Sequence, residues 1–174
     1  MDEQTLKQHI RDIPDFPEPG IVFKDITPLL GNADVFRAVV LHLTDRYADA
    51  GITKVAGVEA RGFIFAAPIA THLGAGFVPI RKPGRLPHQV ESQDYELEYG
   101  TDLLEIHQDA VDSSDVVLIV DDVIATGGTA AASISLVERL GATVAGMAAV
   151  VELDFLSGRS KIPEGIDLLT LVHY

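Results

Sequence analysis

Apolar residues along the chain fall into two kinds of run. Between Ala33 and Ala50, the side chains of Val35, Phe36, Val39, Val40, Leu43 and Tyr47 recur at close to 3.6 residues. That spacing places them on one face of a helix, with Asn32 as a cap and Gly51 as a stop. Phe63 to Leu73, halted by Gly74, and Gly128 to Leu140, halted by Gly141, read as further helices, and residues 3–12 as a short one. The second kind of run is continuous and short: Lys54 to Val58, Phe77 to Ile80, Val116 to Val120, Val144 to Val151 and Leu168 to Val172. Unbroken apolar strands belong to a parallel sheet covered on both faces, and their alternation with helices predicts an α/β fold.

Two stretches lack either period. Ile13 to Gly20 is proline-rich, and Arg81 to Asp94 is interrupted by Pro83, Gly84 and Pro87. A loop of the second length in a compact domain is usually functional. Beyond it, Tyr95 to Tyr99 and Leu103 to His107, separated by Gly100 and Thr101, read as an antiparallel flap. No repeat or linker divides the chain, so residues 1–174 read as one domain.

Composition narrows the function. With 174 residues, 47% hydrophobic and 22% charged, the chain reads as an ordinary packed globular protein. Its apolar runs fall far short of the about 20 residues that span a bilayer. The start Met1-Asp2-Glu3-Gln4 lacks the basic, apolar character of a signal peptide. There is no cysteine, which excludes disulfides, thiol nucleophiles and cysteine-bound zinc, and agrees with a reducing, cytoplasmic setting. A net charge of −13 argues against nucleic-acid binding through phosphates. Within that acidic chain, however, residues 57–88 carry Arg61, Arg81, Lys82 and Arg85 against Glu59 alone, an island of positive charge suited to a compact anion.

The most informative stretch is Val116 to Thr129, where an apolar strand leads to Asp121 and Asp122, then Ala125-Thr126-Gly127-Gly128-Thr129, then a helix. Ligands of open α/β sheets bind at such carboxyl ends of strands. Two glycines let successive amides converge on an anion, aided by the helix dipole and threonine hydroxyls. No Gly-Lys-Ser/Thr follows, so this is not the nucleoside-triphosphate P-loop. Paired carboxylates beside a phosphate loop suit ribose hydroxyls. Together these groups describe a cradle for ribose 5-phosphate.

This stretch resembles the phosphoribosyl-pyrophosphate motif of type I phosphoribosyltransferases, and the rest of the chain resembles the family's adenine-specific branch. Asp15-Phe-Pro-x-Pro-Gly20-Ile-Val-Phe23-Lys24-Asp25-Ile26 is similar to its base-binding segment, and Glu59-Ala60-Arg61-Gly62-Phe63 to its pyrophosphate loop. Arg81-Lys82-Pro-Gly-Arg85-Leu-Pro87 and Tyr95-x-Leu-Glu98-Tyr99-Gly100 are similar to its mobile catalytic loop. The likeness runs from about Ile13 to Val172.

The resemblance implies the type I fold, a mostly parallel central sheet flanked by helices, with a small hood (1–33), a flexible antiparallel flap and a flexible catalytic loop (81–100). It implies transfer of ribose 5-phosphate to adenine, giving AMP and pyrophosphate in purine salvage, by a homodimer. It implies that Val22 offers backbone groups to the purine, Phe23 stacks on it, and Lys24 stands where arginine is frequent, keeping the charge without the planar fork. Glu59, Ala60 and Arg61 form the pyrophosphate turn, with a cis peptide among them. Arg81, Lys82 and Arg85 close over the departing diphosphate. Glu98 is the candidate acid–base group, with Arg81 also catalytic and Tyr99 beside the substrate. Asp121 and Asp122 hold the ribose, and Ala125, Thr126, Gly127, Gly128 and Thr129 the phosphate. Magnesium prefers oxygen ligands and keeps substrate phosphates, so Mg²⁺ is expected on the substrate near Asp121 and Asp122, without a dedicated protein site.

Some residues read as bystanders: His88 as a solvated loop histidine, Glu105 and Asp109 as solvated strand-end acids. The six histidines show no zinc-binding spacing on a helix. Two alternatives stay open. One is the same fold acting on hypoxanthine, guanine, xanthine or orotate; family members that take 6-oxopurines often aim a lysine at the base, and none stands between Val151 and Lys161. The other is a non-catalytic regulator that only binds phosphoribosyl pyrophosphate.

Overall fold

The computed structural model describes residues 1–96 and 101–174. Helix α1 (Glu3–Lys7) is capped by Asp2, whose carboxylate accepts from the Thr5 amide at 2.9 Å. The helix expected over residues 3–12 therefore ends early. Arg11–Pro14 forms β1 instead, paired antiparallel with β2 (Val22–Asp25), Ile13 opposite Phe23. Pro14 holds Ile13 extended, and pairing with Asp25 and Lys24 draws Arg11 and Asp12 into the strand. The proline-rich segment is thus the turn of a hairpin, held by the Gly20 amide donating to Asp15 at 2.8 Å. A short helix, α2 (Thr27–Gly31), follows, which the apolar pattern did not indicate.

Helix α3 (Ala33–Tyr47) starts at Asn32, whose side-chain oxygen accepts from the Asp34 and Val35 amides. Then come β3 (Lys54–Val58), α4 (Gly62–Leu73) and β4 (Gly76–Ile80). Gly74 ends α4 in the left-handed conformation (φ +66°), which costs glycine little. Strands β5 (Val90–Glu96) and β6 (Thr101–His107) pair antiparallel. Pairing therefore begins at Val90, inside the segment expected to be irregular through Asp94. Glu91-Ser-Gln-Asp94 carries no apolar alternation to announce a strand. Its polar side chains instead meet the next helix, where Arg139 donates to Gln93 at 3.0 Å and pairs with Glu91. The chain continues through β7 (Val116–Ile124), α5 (Gly128–Arg139), β8 (Thr143–Glu152) and β9 (Asp167–His173).

Five strands form one sheet in the order β4-β3-β7-β8-β9, every pair parallel. Alternate residues of β7 face opposite layers. Leu118 and Val120 pack with α3 and α4. Val117 and Ile119 pack with α5 and with Leu104 and Ile106 of the β5–β6 hairpin. Both faces are covered, which is why these strands read as unbroken apolar runs. Among the described residues no helix is long and apolar enough to cross a membrane.

The topology sets the site. From β3 the chain runs outward to β4, whereas β7 lies on the other side of β3 and leads to β8 and β9. The loops after β3 and β7 therefore diverge onto opposite faces of the sheet, leaving a crevice between the two strand ends.

Candidate active site

The crevice is a cleft of about 250 Å³ walled by the two diverging loops. On one side the Glu59–Ala60 peptide is cis, and Arg61 leads into α4. Opposite is the turn Ala125–Thr129, which opens α5 with Gly127 in the left-handed region (φ +77°). Among the described residues, no protein group accepts from the amides of Thr126, Gly127, Gly128 or Thr129. A helix N-terminus with free, converging amides is an anion site.

Strand β7 does not stop at Val120 as its apolar run implied. It continues through Asp121 and Asp122 to Ile124, with Asp121 beside Ala149 and Val123 beside Val151 of β8. The two carboxylates are consequently buried, at 8% and 5% exposure. Burial, and then the neighbouring Asp122 charge, pushes the Asp121 carboxyl well above its ordinary range, although the Asp122 amide donates to it at 2.8 Å. Burial raises Asp122 too, opposed chiefly by Arg61, whose Nε lies 2.7 Å from Asp122 Oδ2.

Every other cation of the positive island is also paired. Arg81 and Arg85 converge on the buried Glu59 carboxylate at 2.6 and 3.0 Å. Arg81 further ties β4 to β6 through paired backbone hydrogen bonds with Glu105. Lys82 pairs with Asp102 and donates to the Tyr95 hydroxyl at 2.9 Å. These are charges held in place yet exchangeable, since an incoming polyanion offers the same partner chemistry. The cleft's ligand atoms are all oxygens, a set that fits a hard divalent cation. With Glu59 and Asp122 already bound to arginines, they fit an ion arriving with its substrate better than a resident one.

A second cavity, about 190 Å³, adjoins the first. Val22, Phe23 and Ile26 of the N-terminal hairpin and the turn after it close it on one side. Val123, Val151 and Leu153 close it on the other. The Arg61 guanidinium sits 5.2 Å above the Phe23 ring, and Phe16 meets that ring edge-on. Lys24 borders the cavity, but its ammonium turns away to Asp12 at 2.7 Å and onto the Tyr174 ring. Leu153 went unnoticed in the sequence, where one leucine after a strand carries no signal.

The structure thus brings Val22, Phe23, Lys24, Glu59, Ala60, Arg61, Lys82, Asp121, Asp122 and the turn Ala125–Thr129 around two joined cavities, with Arg81 and Arg85 linked through Glu59. Glu98 and Tyr99 lie outside the described residues. His88 is solvated, as expected, with its side chain 64% exposed. Glu105 is not: at 9% exposure it is buried and accepts from the Gly84 amide at 3.0 Å. The hairpin folds against β4 at Arg81, and that contact removes the acid from solvent.

The family model for the phosphoribosyl transferase domain matches residues 34–164. The adenine phosphoribosyltransferase of Acaryochloris marina is 57% identical over 91% of this chain and 94% of its own. The crystal structure of adenine phosphoribosyltransferase from Rhodothermus marinus superposes with a TM-score of 0.94 at 53% identity, covering 98% of this chain and 97% of that one. The Saccharomyces cerevisiae enzyme, complexed with an imino-altritol bisphosphate and adenine, gives a TM-score of 0.90 at 43% identity over 97% of both chains. A glycine-rich turn opening a helix, two buried acids and an apolar pocket, on a sheet shared nearly end to end with these relatives, place the chain in the phosphoribosyltransferase family, in its adenine phosphoribosyltransferase branch.

Proposed function

We propose that the protein transfers the 5-phosphoribosyl group of phosphoribosyl pyrophosphate to adenine, forming AMP and pyrophosphate. One observation carries this reading: the anion cleft and the apolar cavity share a wall made by Arg61, Asp122, Val123 and Ala125. A ribose lying against that wall would have its phosphate in one cavity and the base in the other.

In this reading the amides of Thr126 to Thr129 and their hydroxyls hold the 5-phosphate. Asp121 and Asp122 accept from the ribose hydroxyls. Arg61, Arg81, Lys82 and Arg85 leave Asp122, Glu59 and Asp102 to bind the diphosphate, and the Glu59–Ala60 peptide lines its path. As the bond from ribose to diphosphate breaks, a base nitrogen takes its place at the same carbon. Glu98 manages the base's proton, and Tyr99 lies beside the substrate. A magnesium ion borne by the diphosphate would offset its negative charge when bound.

Adenine is favoured over other bases by the cavity itself. Hypoxanthine, guanine, xanthine and orotate present additional oxygens, and both cations lining the cavity are committed, Lys24 to Asp12 and Arg61 to Asp122. Apolar walls with backbone groups of Val22 at the edge suit an amino-purine, and Phe23 offers an aromatic platform. The yeast relative was crystallised with adenine.

The same reading treats the chain as one domain, with residues 1–33 as the hood over the base and 81–100 as the closing loop. It includes a homodimer, for which Phe77, 40% exposed against Phe63, and exposed Ile64 provide apolar surface. It also places the protein in the cytoplasm, a setting in keeping with a chain that has no cysteine. The decisive experiment supplies purified protein with Mg²⁺, phosphoribosyl pyrophosphate and, separately, adenine, hypoxanthine, guanine, xanthine and orotate. AMP from adenine alone is the expected result. Nucleotide from another base overturns the base assignment, and no nucleotide at all leaves the binding-only reading.

A further inference from the structure

Behind the phosphate turn, two glycine backbones touch. A β-carbon placed on Gly127 would overlap the carbonyl oxygen of Gly158. One placed on Gly158 would overlap the Ala125 carbonyl oxygen and lie 2.8 Å from the Gly127 nitrogen. The turn's outer surface is therefore shaped by the segment that carries Gly158.

That segment leaves β8 at Glu152. It gives Leu153 to the apolar cavity and passes two short 3₁₀ turns, Asp154–Leu156 and Gly158–Lys161. Between the turns Ser157 adopts a left-handed conformation (φ +53°). At its start, the Leu153 amide donates to Ile124 and the Asp154 amide to Tyr174. Farther along, Ile162 and Ile166 pack on the core, and Arg159 supplies the polar anchor. Arg159 grips Glu152 with both arms of its fork, Nε at 3.0 Å and Nη2 at 2.5 Å, and also donates to the Leu168 carbonyl and the Thr170 hydroxyl. Thr170 in turn donates to Glu152 at 2.7 Å.

Glu152 is 4% exposed. Burial alone would raise its pKa, but the hydrogen bonds from Arg159 and Thr170 and the guanidinium charge override that and hold it low. Asp154 and His173 stand close by, within 4.8 Å of Glu152. Asp154 and His173 meet at 3.0 Å, while the Glu152 oxygens are taken by Arg159 and Thr170. The cluster is organised as a clamp, not as a cation site.

We propose that Arg159 is a positioning residue for the phosphate cradle: locked onto Glu152, it holds Gly158 against the Ala125–Gly127 turn and so aims the amides that receive the 5-phosphate. A misplacement of about 1 Å from a distant mutation can cost on the order of 100-fold in rate, and Arg159→Lys keeps the charge without the fork.

The inference rests on the phosphate-cradle assignment above, so its test uses ribose 5-phosphate binding, measured by calorimetry on the full chain, beside steady-state kinetics. Arg159→Met and Gly158→Ala are expected to weaken ribose 5-phosphate binding about tenfold or more. They should raise the KM for phosphoribosyl pyrophosphate well beyond that for adenine, and Arg159→Lys should recover part of the loss. Folded Arg159→Met that binds ribose 5-phosphate like the parent overturns the proposal. So does an equal loss for both substrates that lysine fails to restore, which marks general loosening. If Gly158→Ala does not fold, the Met and Lys variants decide. A parent protein that binds ribose 5-phosphate but forms no AMP from adenine overturns the proposed function and leaves the clamp to be judged by binding.

Discussion

Arg61 and Asp122 meet across the floor of the cleft at 2.7 Å, joining the loop after β3 to the continuation of β7. The pair matters because Asp122 is buried and Arg61 is not, with side-chain exposures of 7% and 40%. The arginine's charge opposes the effect of burial on Asp122, and its exposed guanidinium can turn from that carboxylate to an incoming diphosphate. Arg61→Ala removes both functions. We expect kcat/KM to fall about 100-fold, from losing charge-assisted hydrogen bonds worth roughly 3 kcal/mol. Arg61→Lys should fall between. Steady-state kinetics with both substrates varied checks this.

Asp121 should show the opposite balance between stability and function. Burial and the Asp122 charge raise its pKa above the ordinary 3.8, so the folded state holds the proton more tightly than the unfolded chain does. Its contribution to stability is then fully present below about pH 3.8 and is lost progressively as pH rises toward and through the raised value. Asparagine does not titrate. Asp121→Asn is therefore expected to match the parent in acid and to melt higher at neutral pH, at about 2–4 °C per kcal/mol for a chain of this size, while binding phosphoribosyl pyrophosphate poorly. Melting curves from pH 4 to 8 test the sign.

Phe23 presents its ring to the apolar cavity. Base–aromatic stacking is worth about 1–3 kcal/mol. Phe23→Ala should accordingly raise the KM for adenine on the order of tenfold and leave that for phosphoribosyl pyrophosphate close to its original value. An equal rise in both would place the ring outside the base site.

Gly62 begins α4 where the helix rides on β7. A β-carbon there would lie 2.8 Å from the Val120 carbonyl oxygen and 3.0 Å from the Asp121 carboxylate. Gly62→Ala should cost about 1–3 kcal/mol through overpacking and push Asp121 off its position. Lower melting temperature together with weaker ribose 5-phosphate binding is the expected pair of results.

Glu98 lies outside the described residues, and its assignment rests on family resemblance. Acid–base groups typically contribute about 10²–10⁴-fold. Glu98→Ala should cut turnover at least about tenfold, a bound set below that range, with an unchanged melting curve. Parent-level turnover removes it from the mechanism.

Much of this was legible along the chain because the underlying signals are local. Lys54 to Val58 reads as a buried strand and forms β3 over the same residues. Asn32 and Gly74 behave as the cap and stop that their chemistry prescribes. The turn from Ala125 to Thr129 is readable because glycines and threonines between a strand and a helix have few other uses. Features that depend on a distant partner were illegible. Val90 to Asp94 becomes a strand through β6 and Arg139. Glu105 is buried by the hairpin's contact at Arg81. Leu153 and Gly158 acquire meaning from what they touch.

The sequence by itself determined the parallel α/β class, the glycine-rich turn that opens α5 and the presence of two acids ahead of it. These follow from periodicity and from side-chain types within a single strand–turn–helix. Only the tertiary structure decided how the charges are distributed among partners. Asp122 faces Arg61, Glu59 faces Arg81 and Arg85, and Lys82 faces Asp102. Only there does Arg159, far along the chain from the turn, come to brace it through Gly158. Ion pairs and backbone contacts form between segments that the sheet order brings together, and no local pattern encodes which segments those are.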